Sequence, residues 1–237
     1  MILRAVPLGG PKSALPAGVC TPGELERARA MLDPRRRHAF LAGRLALRAV
    51  VAEALGADPA DLRPAYACPE CGVGEHGAPG FTLGGGRHDA GARPRVNVAA
   101  SMSRAGGWAL LAAEVGGCDR EVGGCDREVR GCDREVGVPT VGVDLAMATD
   151  FRHALPHAAF SAAELRLLSG ARDRADGAAR LWARKEALLK ALGTGLRGDP
   201  QAADTLDDAR ITDLDTEALG LPAGFAAAVA RVPAGYS

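Results

Sequence analysis

Two carboxylates and a lysine stand where they could do chemistry. Asp144 interrupts an apolar run, Val141-Gly142-Val143-Asp144-Leu145-Ala146. Alternation in a strand puts Val141, Val143 and Leu145 on one face and Gly142, Asp144 and Ala146 on the other. A carboxylate in such a strand is costly to bury unless it is paired or binds a cation. Downstream, Trp182, Glu186 and Lys190 fall at i, i+4 and i+8, one face of a helix, with Lys185 a neighbouring cation. Two oxygen ligands from separate elements suit Mg²⁺, which keeps several waters and shares phosphates with its substrate. A carboxylate at such a metal can also deprotonate a hydroxyl nucleophile. The plainer alternative for Glu186 and Lys190 is a surface ion pair, which is common and worth little.

The other half of the chain offers cations and thiols. Between Glu24 and Arg48 there are seven arginines against three acids. Arg37, Arg44 and Arg48 share a helical side, which is either a solvated surface or an anion site for phosphates. Cys68-Pro69-Glu70-Cys71 followed by Gly72 looks like half of a zinc knuckle, with His76 and His88 nearby and no second such pair. The alternative is a Gly/Pro-rich loop with two free thiols.

Positioning these groups is the work of elements that the local signals mark out. Thr21 and Glu24 have capping-box spacing, so a short helix opens there. A break at Asp33-Pro34 leads into a helix from about Arg35 to Leu55, with a buried face of Phe40, Leu41, Leu45, Ala49, Val51 and Leu55 and a stop at Gly56. Ser161 and Glu164 repeat the capping-box spacing, and a further helix runs from about Asp176 to Leu192. Residues 116–136 read GGCDREV, GGCDREV, RGCDREV, three tandem heptads without sustained apolar a and d positions. They are predicted to be a solvated low-complexity insert, either inert or offering its three cysteines to a partner or metal. Without it, Trp108–Val115 would meet Gly137–Leu145 as a β-hairpin, placing the insert at a hairpin tip.

The chain has 237 residues, 47% of them hydrophobic and 24% charged, which excludes whole-chain disorder. Lys+Arg 29 balances Asp+Glu 29, so a partner of bulk nucleic acid is disfavoured. No apolar run approaches the roughly 20 residues needed to span a bilayer. The N-terminal run is interrupted by Arg4 and Pro7 too soon for a signal peptide. Three of the six cysteines belong to the repeat, so the even count marks no disulfide framework. A cytoplasmic protein with reduced thiols is the expectation.

The order of these pieces resembles the Sfp-type 4′-phosphopantetheinyl transferases. RLWARKEALLKALGTGL (Arg180 to Leu196) is similar to the family's W-x-x-K-E-x-x-x-K-x-x-G-x-G-L block, and VGVDLA (Val141 to Ala146) to its G-[VI]-D-[VI]-E strand. AFSAAE (Ala159 to Glu164) resembles F-F-S-x-x-E, and SRAGGWALLA (Ser103 to Ala112) resembles S-H-S-G-x-W. HGAP (His76 to Pro79) looks like the G-K-P turn, and AGRLALR (Ala42 to Arg48) like the G-R-x-x-x-R helix.

The resemblance implies an α+β fold of two pseudo-symmetric α/β halves, 1–115 and 137–237, with coenzyme A and Mg²⁺ in the cleft between them. It implies transfer of the phosphopantetheine arm of coenzyme A to a serine of an apo carrier protein, with release of 3′,5′-ADP. The carrier would belong to fatty-acid, polyketide or non-ribosomal peptide synthesis, and the enzyme would be a monomer that needs neither nucleic acid nor membrane. Asp144 and Glu186 would hold Mg²⁺, Glu186 would act as or position the base, and Lys190 would stabilise or protonate the leaving phosphate. Ser103 and Arg104 would hold the pyrophosphate or 3′-phosphate, and Arg37 and Arg44 the nucleotide end. Three positions depart from the family: Ala146 replaces a second strand acid, Arg104 a histidine, and Ala78 a lysine. Two other readings stand beside this one. The first is a pseudoenzyme that binds coenzyme A or a carrier without transfer. The second is a zinc-knuckle interaction protein built on Cys68 and Cys71.

Overall fold

The computed structural model describes residues 1–16, 18–68, 70–74, 76–84, 95–116, 139–195 and 199–234. Strand β1 (Ile2–Pro7) leads to helix α1 (Pro22–Arg29) and the long helix α2 (Pro34–Leu55). The short strands β2 (Leu62–Pro64), β3 (Tyr66–Cys68), β4 (Gly72–Gly74) and β5 (Phe81–Leu83) follow, then β6 (Val98–Ala105) and β7 (Trp108–Val115). The second series runs β8 (Thr140–Met147), α3 (Ala162–Ser169), α4 (Arg174–Ala191), β9 (Ile211–Asp213) and β10 (Phe225–Val232). This is a mixed α/β fold. One sheet has the order β1-β7-β6 and the other β8-β10-β9, all antiparallel.

The helices begin where short polar side chains can satisfy their free N–H groups. Both predicted capping boxes form: Thr21 and Glu24 start α1, and Ser161 and Glu164 start α3. The Asp33 carboxylate accepts from Arg35 N–H ahead of α2, with Pro34 in the first turn, and Asp173 does the same for α4 toward Ala175 and Asp176. Gly56 closes α2 in the left-handed region.

The core lies in layers. Ala42, Ala46, Leu47, Val50 and Val51 of α2 pack on Ala109, Leu111 and Ala113 of β7. The opposite face of β7, Leu110 and Ala112, packs on Val141, Val143 and Leu145 of β8 and on Ala227 and Val229 of β10. Beyond that sheet, Ala183, Ala187, Leu188 and Ala191 of α4 cover Ala146, Ala228, Ala230 and Val232. The predicted alternation in β8 is therefore observed, and both of its faces are buried. At Gly142, α4 comes so close that a Cβ would stand 2.0 Å from the Ala187 carbonyl oxygen and 2.6 Å from the Ala191 nitrogen.

Two expectations are corrected. Trp108–Val115 and the strand at Val141 do not form a hairpin: β7 pairs with β1 and β6, and β8 pairs with β10. As the middle strand of its sheet, β7 has no free edge to offer β8. The hairpin at this point is β6-β7, closed by Gly106 and Gly107 at φ 54° and 80°. Positive φ at both central residues suits a tight two-residue turn in twisted strands. The heptad repeat falls within 117–138 apart from Gly116, and those residues lie outside the described ones. The loop expected from Cys68 to Phe81 instead holds strand β4, which pairs with β3 just before it, and runs into β5, which pairs with β2.

Each series of elements carries one buried ion pair between its capping-box glutamate and the long helix that follows. Glu24 accepts from Arg48 Nη2 at 2.8 Å on both oxygens, and Arg48 Nη1 reaches the Val19 carbonyl at 2.5 Å. Glu164 pairs with Lys185 at 3.0 Å and accepts from Thr205 Oγ1 at 2.7 Å. Arg48 is therefore part of the frame, not of an exposed cationic face. No helix among the described residues is long and apolar enough to cross a membrane.

Removing one member of a buried pair leaves the other charged and unpaired. Arg48→Met is expected to cost about 3–5 kcal/mol in denaturant unfolding; a loss under ~1 kcal/mol, the range of exposed ion pairs, would contradict the frame role. Gly142→Ala should cost about 1–3 kcal/mol or more by driving α4 off β8; unchanged thermal unfolding would show that the two can separate freely.

Candidate active site

Asp144 sits on the α4-facing side of β8 and is 4% exposed. Its Oδ1 accepts two hydrogen bonds, from Ser103 Oγ at 2.6 Å and from Lys190 Nζ at 2.5 Å. Lys190 also donates to the Val143 carbonyl at 3.2 Å. Ser101, two residues before Ser103 and so on the same side of β6, accepts from Val143 N–H at 3.0 Å. Two serines of β6 thus dock on β8 at Asp144 and its neighbour Val143, and strand alternation explains their spacing.

Glu186 lies one turn before Lys190 on α4 and is half-buried. Burial holds its carboxyl above the ordinary range; the Lys190 ammonium opposes this and the Asp144 charge reinforces it. Two carboxyl groups and one lysine therefore share a poorly solvated neighbourhood. Lys190 pairs with Asp144, so the plain Glu186–Lys190 surface pair is not the arrangement found. This donor set fits a hard divalent cation: two oxygen-bearing groups come from separate elements, and a cation would relieve the desolvation of Glu186. Ala146, next on the same face of β8, is packed in the core and supplies no third carboxylate. Among the described residues, no third histidine, cysteine or acid joins Asp144 and Glu186 in a compact group.

A second cluster is cationic and aromatic. The Arg44 guanidinium stands 4.0 Å from the Tyr66 ring centroid and 5.2 Å from that of Phe40, and Arg104 stands 5.9 Å from Phe40. Arg104 keeps part of its side chain in solvent, yet burial and then the Arg44 charge lower its proton affinity. Burial pushes the Tyr66 hydroxyl up to about 12, so it remains a proton donor at neutral pH. Two guanidiniums held near one another against apolar rings make a place where an anion relieves repulsion. Arg104 follows Ser103 directly on β6, so strand alternation sends Arg104 toward Ala39 and Gly43 of α2 while Ser103 faces β8, and the two clusters flank opposite faces of one strand.

The predicted site residues therefore separate into groups. Asp144, Lys190, Ser103 and Glu186 come together, and Arg44 joins Arg104. Arg37 is engaged elsewhere: its Nε donates to the Ala28 carbonyl at 3.1 Å and its Nη2 to Met31 at 2.9 Å, closing the C-terminal end of α1. The aromatic platform was missed, although Phe40 precedes Arg44 by four residues, one helical turn. Two surface depressions, of about 550 and 310 Å³, lie at Phe151–Ala175 and beside Arg180 and Asp213; neither is lined by Asp144, Glu186 or Arg44.

Residues 140–222 match the 4′-phosphopantetheinyl transferase superfamily, so this part of the chain carries that superfamily's sequence pattern. The matched segment includes Asp144, Glu186 and Lys190 and excludes Ser103, Arg44 and Arg104. No curated protein matches the chain.

The raised affinity of Glu186 for its proton has a consequence for stability. Folding that raises a pKa gives a contribution complete below the unfolded value and lost as pH rises through the folded one. At neutral pH the ionised Glu186 is therefore a cost. In chelator-containing buffer, Glu186→Gln should raise Tm at pH 7, and the gain should disappear below about pH 4, under the ordinary glutamate value. A lowered Tm at pH 7 would show that the charge is compensated in the fold.

Proposed function

We propose that this protein transfers 4′-phosphopantetheine from coenzyme A to a serine of an apo carrier protein. The observation that carries the reading is the Asp144 carboxylate, held by Ser103 and Lys190 beside Glu186 within the segment that matches the superfamily. The two series of elements support it further. Each begins with a strand, a capping-box helix and a long helix and ends in two strands that complete a three-stranded sheet with the first strand at one edge and the last in the middle; the first series adds four short strands before them. We read them as pseudo-symmetric halves with the active site between them.

In this reading Asp144 and Glu186 would hold Mg²⁺, which would neutralise diphosphate charge and orient the phosphate under attack. Arg44 and Arg104 would hold phosphate groups of coenzyme A, with the Tyr66 hydroxyl available as a neutral donor. Ser103 keeps Asp144 in one orientation. Glu186 would act as, or position, the base that takes the proton of the incoming serine hydroxyl. The serine oxygen bonds to the β-phosphorus of coenzyme A as the bond from that phosphorus to the bridging oxygen breaks. Lys190 stabilises the departing phosphate as 3′,5′-ADP leaves. Arg37, on α2, is left to its bonds with the end of α1. The carrier is an acidic partner, and the arginines near the site would steer it.

With Mg²⁺, coenzyme A and apo carriers from fatty-acid, polyketide and non-ribosomal peptide systems, one carrier should gain the mass of one phosphopantetheine. Glu186→Gln should lower kcat about 10²–10⁴-fold, the range of general-base catalysis. Arg44→Ala should weaken coenzyme A binding by the roughly 1.5–3 kcal/mol of a charge-assisted hydrogen bond. Coenzyme A binding without transfer to any carrier would instead establish the pseudoenzyme reading, which Ala146 and Ala78 favour because each removes a charged group.

A further inference from the structure

The ligating atoms of Cys68, Cys71 and His76 all lie within 4.8 Å of one another. They come from three points of a folded-back segment. Cys68 ends β3, Cys71 directly precedes β4, and His76 follows β4. The segment then turns back along β3. Ala67 N–H donates to the Ala78 carbonyl at 2.9 Å, and Ala78 N–H to the Ala67 carbonyl at 2.8 Å. Main-chain pairing, not side-chain attraction, therefore fixes the imidazole beside the two sulfurs.

The backbone N–H groups of Glu70 and Cys71 donate to the Cys68 sulfur, and the Cys71 side chain hydrogen-bonds to it as well. Amides aimed at a sulfur stabilise its negative charge, as outer-shell donors do for metal-bound thiolates. Both thiols are free, Cys68 half-buried and Cys71 exposed. Thiolate and imidazole together select thiophilic first-row ions such as zinc and do not suit Mg²⁺. With Zn–S about 2.3 Å and Zn–N about 2.0–2.1 Å, tetrahedral ligands stand roughly 3.4–3.8 Å apart. Side-chain rotations of about 1 Å would therefore close the group on an ion.

We propose that Cys68, Cys71 and His76 form a tetrahedral site for a thiophilic divalent cation of the zinc class, with solvent in the fourth position. The site is separate from the carboxylate cluster and independent of the proposed transfer. It staples the β3-β4 hairpin to the segment returning through Ala78. It lies two residues from Tyr66, the ring on which Arg44 rests.

The test uses the full-length reduced protein and Co²⁺ alone, read by the sulfur-to-metal charge-transfer absorption and the visible bands of tetrahedral cobalt. One equivalent per chain should bind, and Zn²⁺ should displace it. Cys71→Ser should weaken binding more than about tenfold and reduce the charge-transfer band, while His76→Ala should weaken binding similarly and keep that band. Both changes fall in or after a short surface hairpin, and circular dichroism establishes that the variants fold. A variant with Cys118, Cys125 and Cys132 all changed to serine should bind as the parent does. Three results would overturn the proposal: no stoichiometric cobalt, a signal carried by the repeat cysteines, or a Cys68–Cys71 disulfide that persists in the reduced, metal-loaded sample.

Discussion

Asp144 carries its carboxylate inside a strand covered on both faces, and donors from two other elements hold it there, Ser103 of β6 and Lys190 of α4. Burying that group without partners would cost several kcal/mol, so the positions of β6, β8 and α4 are coupled through one oxygen atom. The close approach at Gly142 brings α4 near enough for Lys190 to reach it. Ser101 on the Val143 N–H holds β6 from the other side. The candidate chemistry and the contact between the two sheets thus depend on the same few groups.

The rest of the frame keeps this junction in register. Glu24–Arg48 and Glu164–Lys185 each tie a short helix to a long one within its own series, with both partners almost wholly buried. Such pairs contribute little net stability against an apolar alternative, but a mispaired arrangement would strand a charge. The link between sheets is more exposed: Arg231 of β10 reaches Glu114 of β7, with Nε to Oε2 at 2.9 Å.

What could be read in advance depended on how local the determining interaction is. Capping boxes, the Asp33-Pro34 start and the Gly56 stop involve residues two to four apart, and all formed where expected. The buried acid was legible because an isolated carboxylate in an apolar strand demands a partner. Its partners were not, since Ser103 is 41 residues away and only the packing of the sheets selects it. The hairpin reading failed for the same reason: whether β7 has a free edge depends on β1, at the far end of the chain. Arg37, Arg44 and Arg48 share a helical side in sequence, yet α1 claims Arg37, Glu24 claims Arg48, and only Arg44 reaches Tyr66. Charge spacing alone cannot rank these fates.

Every strand pairing of the two main sheets is made within one series of elements, β1-β7-β6 or β8-β10-β9. The chain leaves the first sheet after Val115 and enters the second at Thr140, so each of the two ladders can close without a strand from the other series.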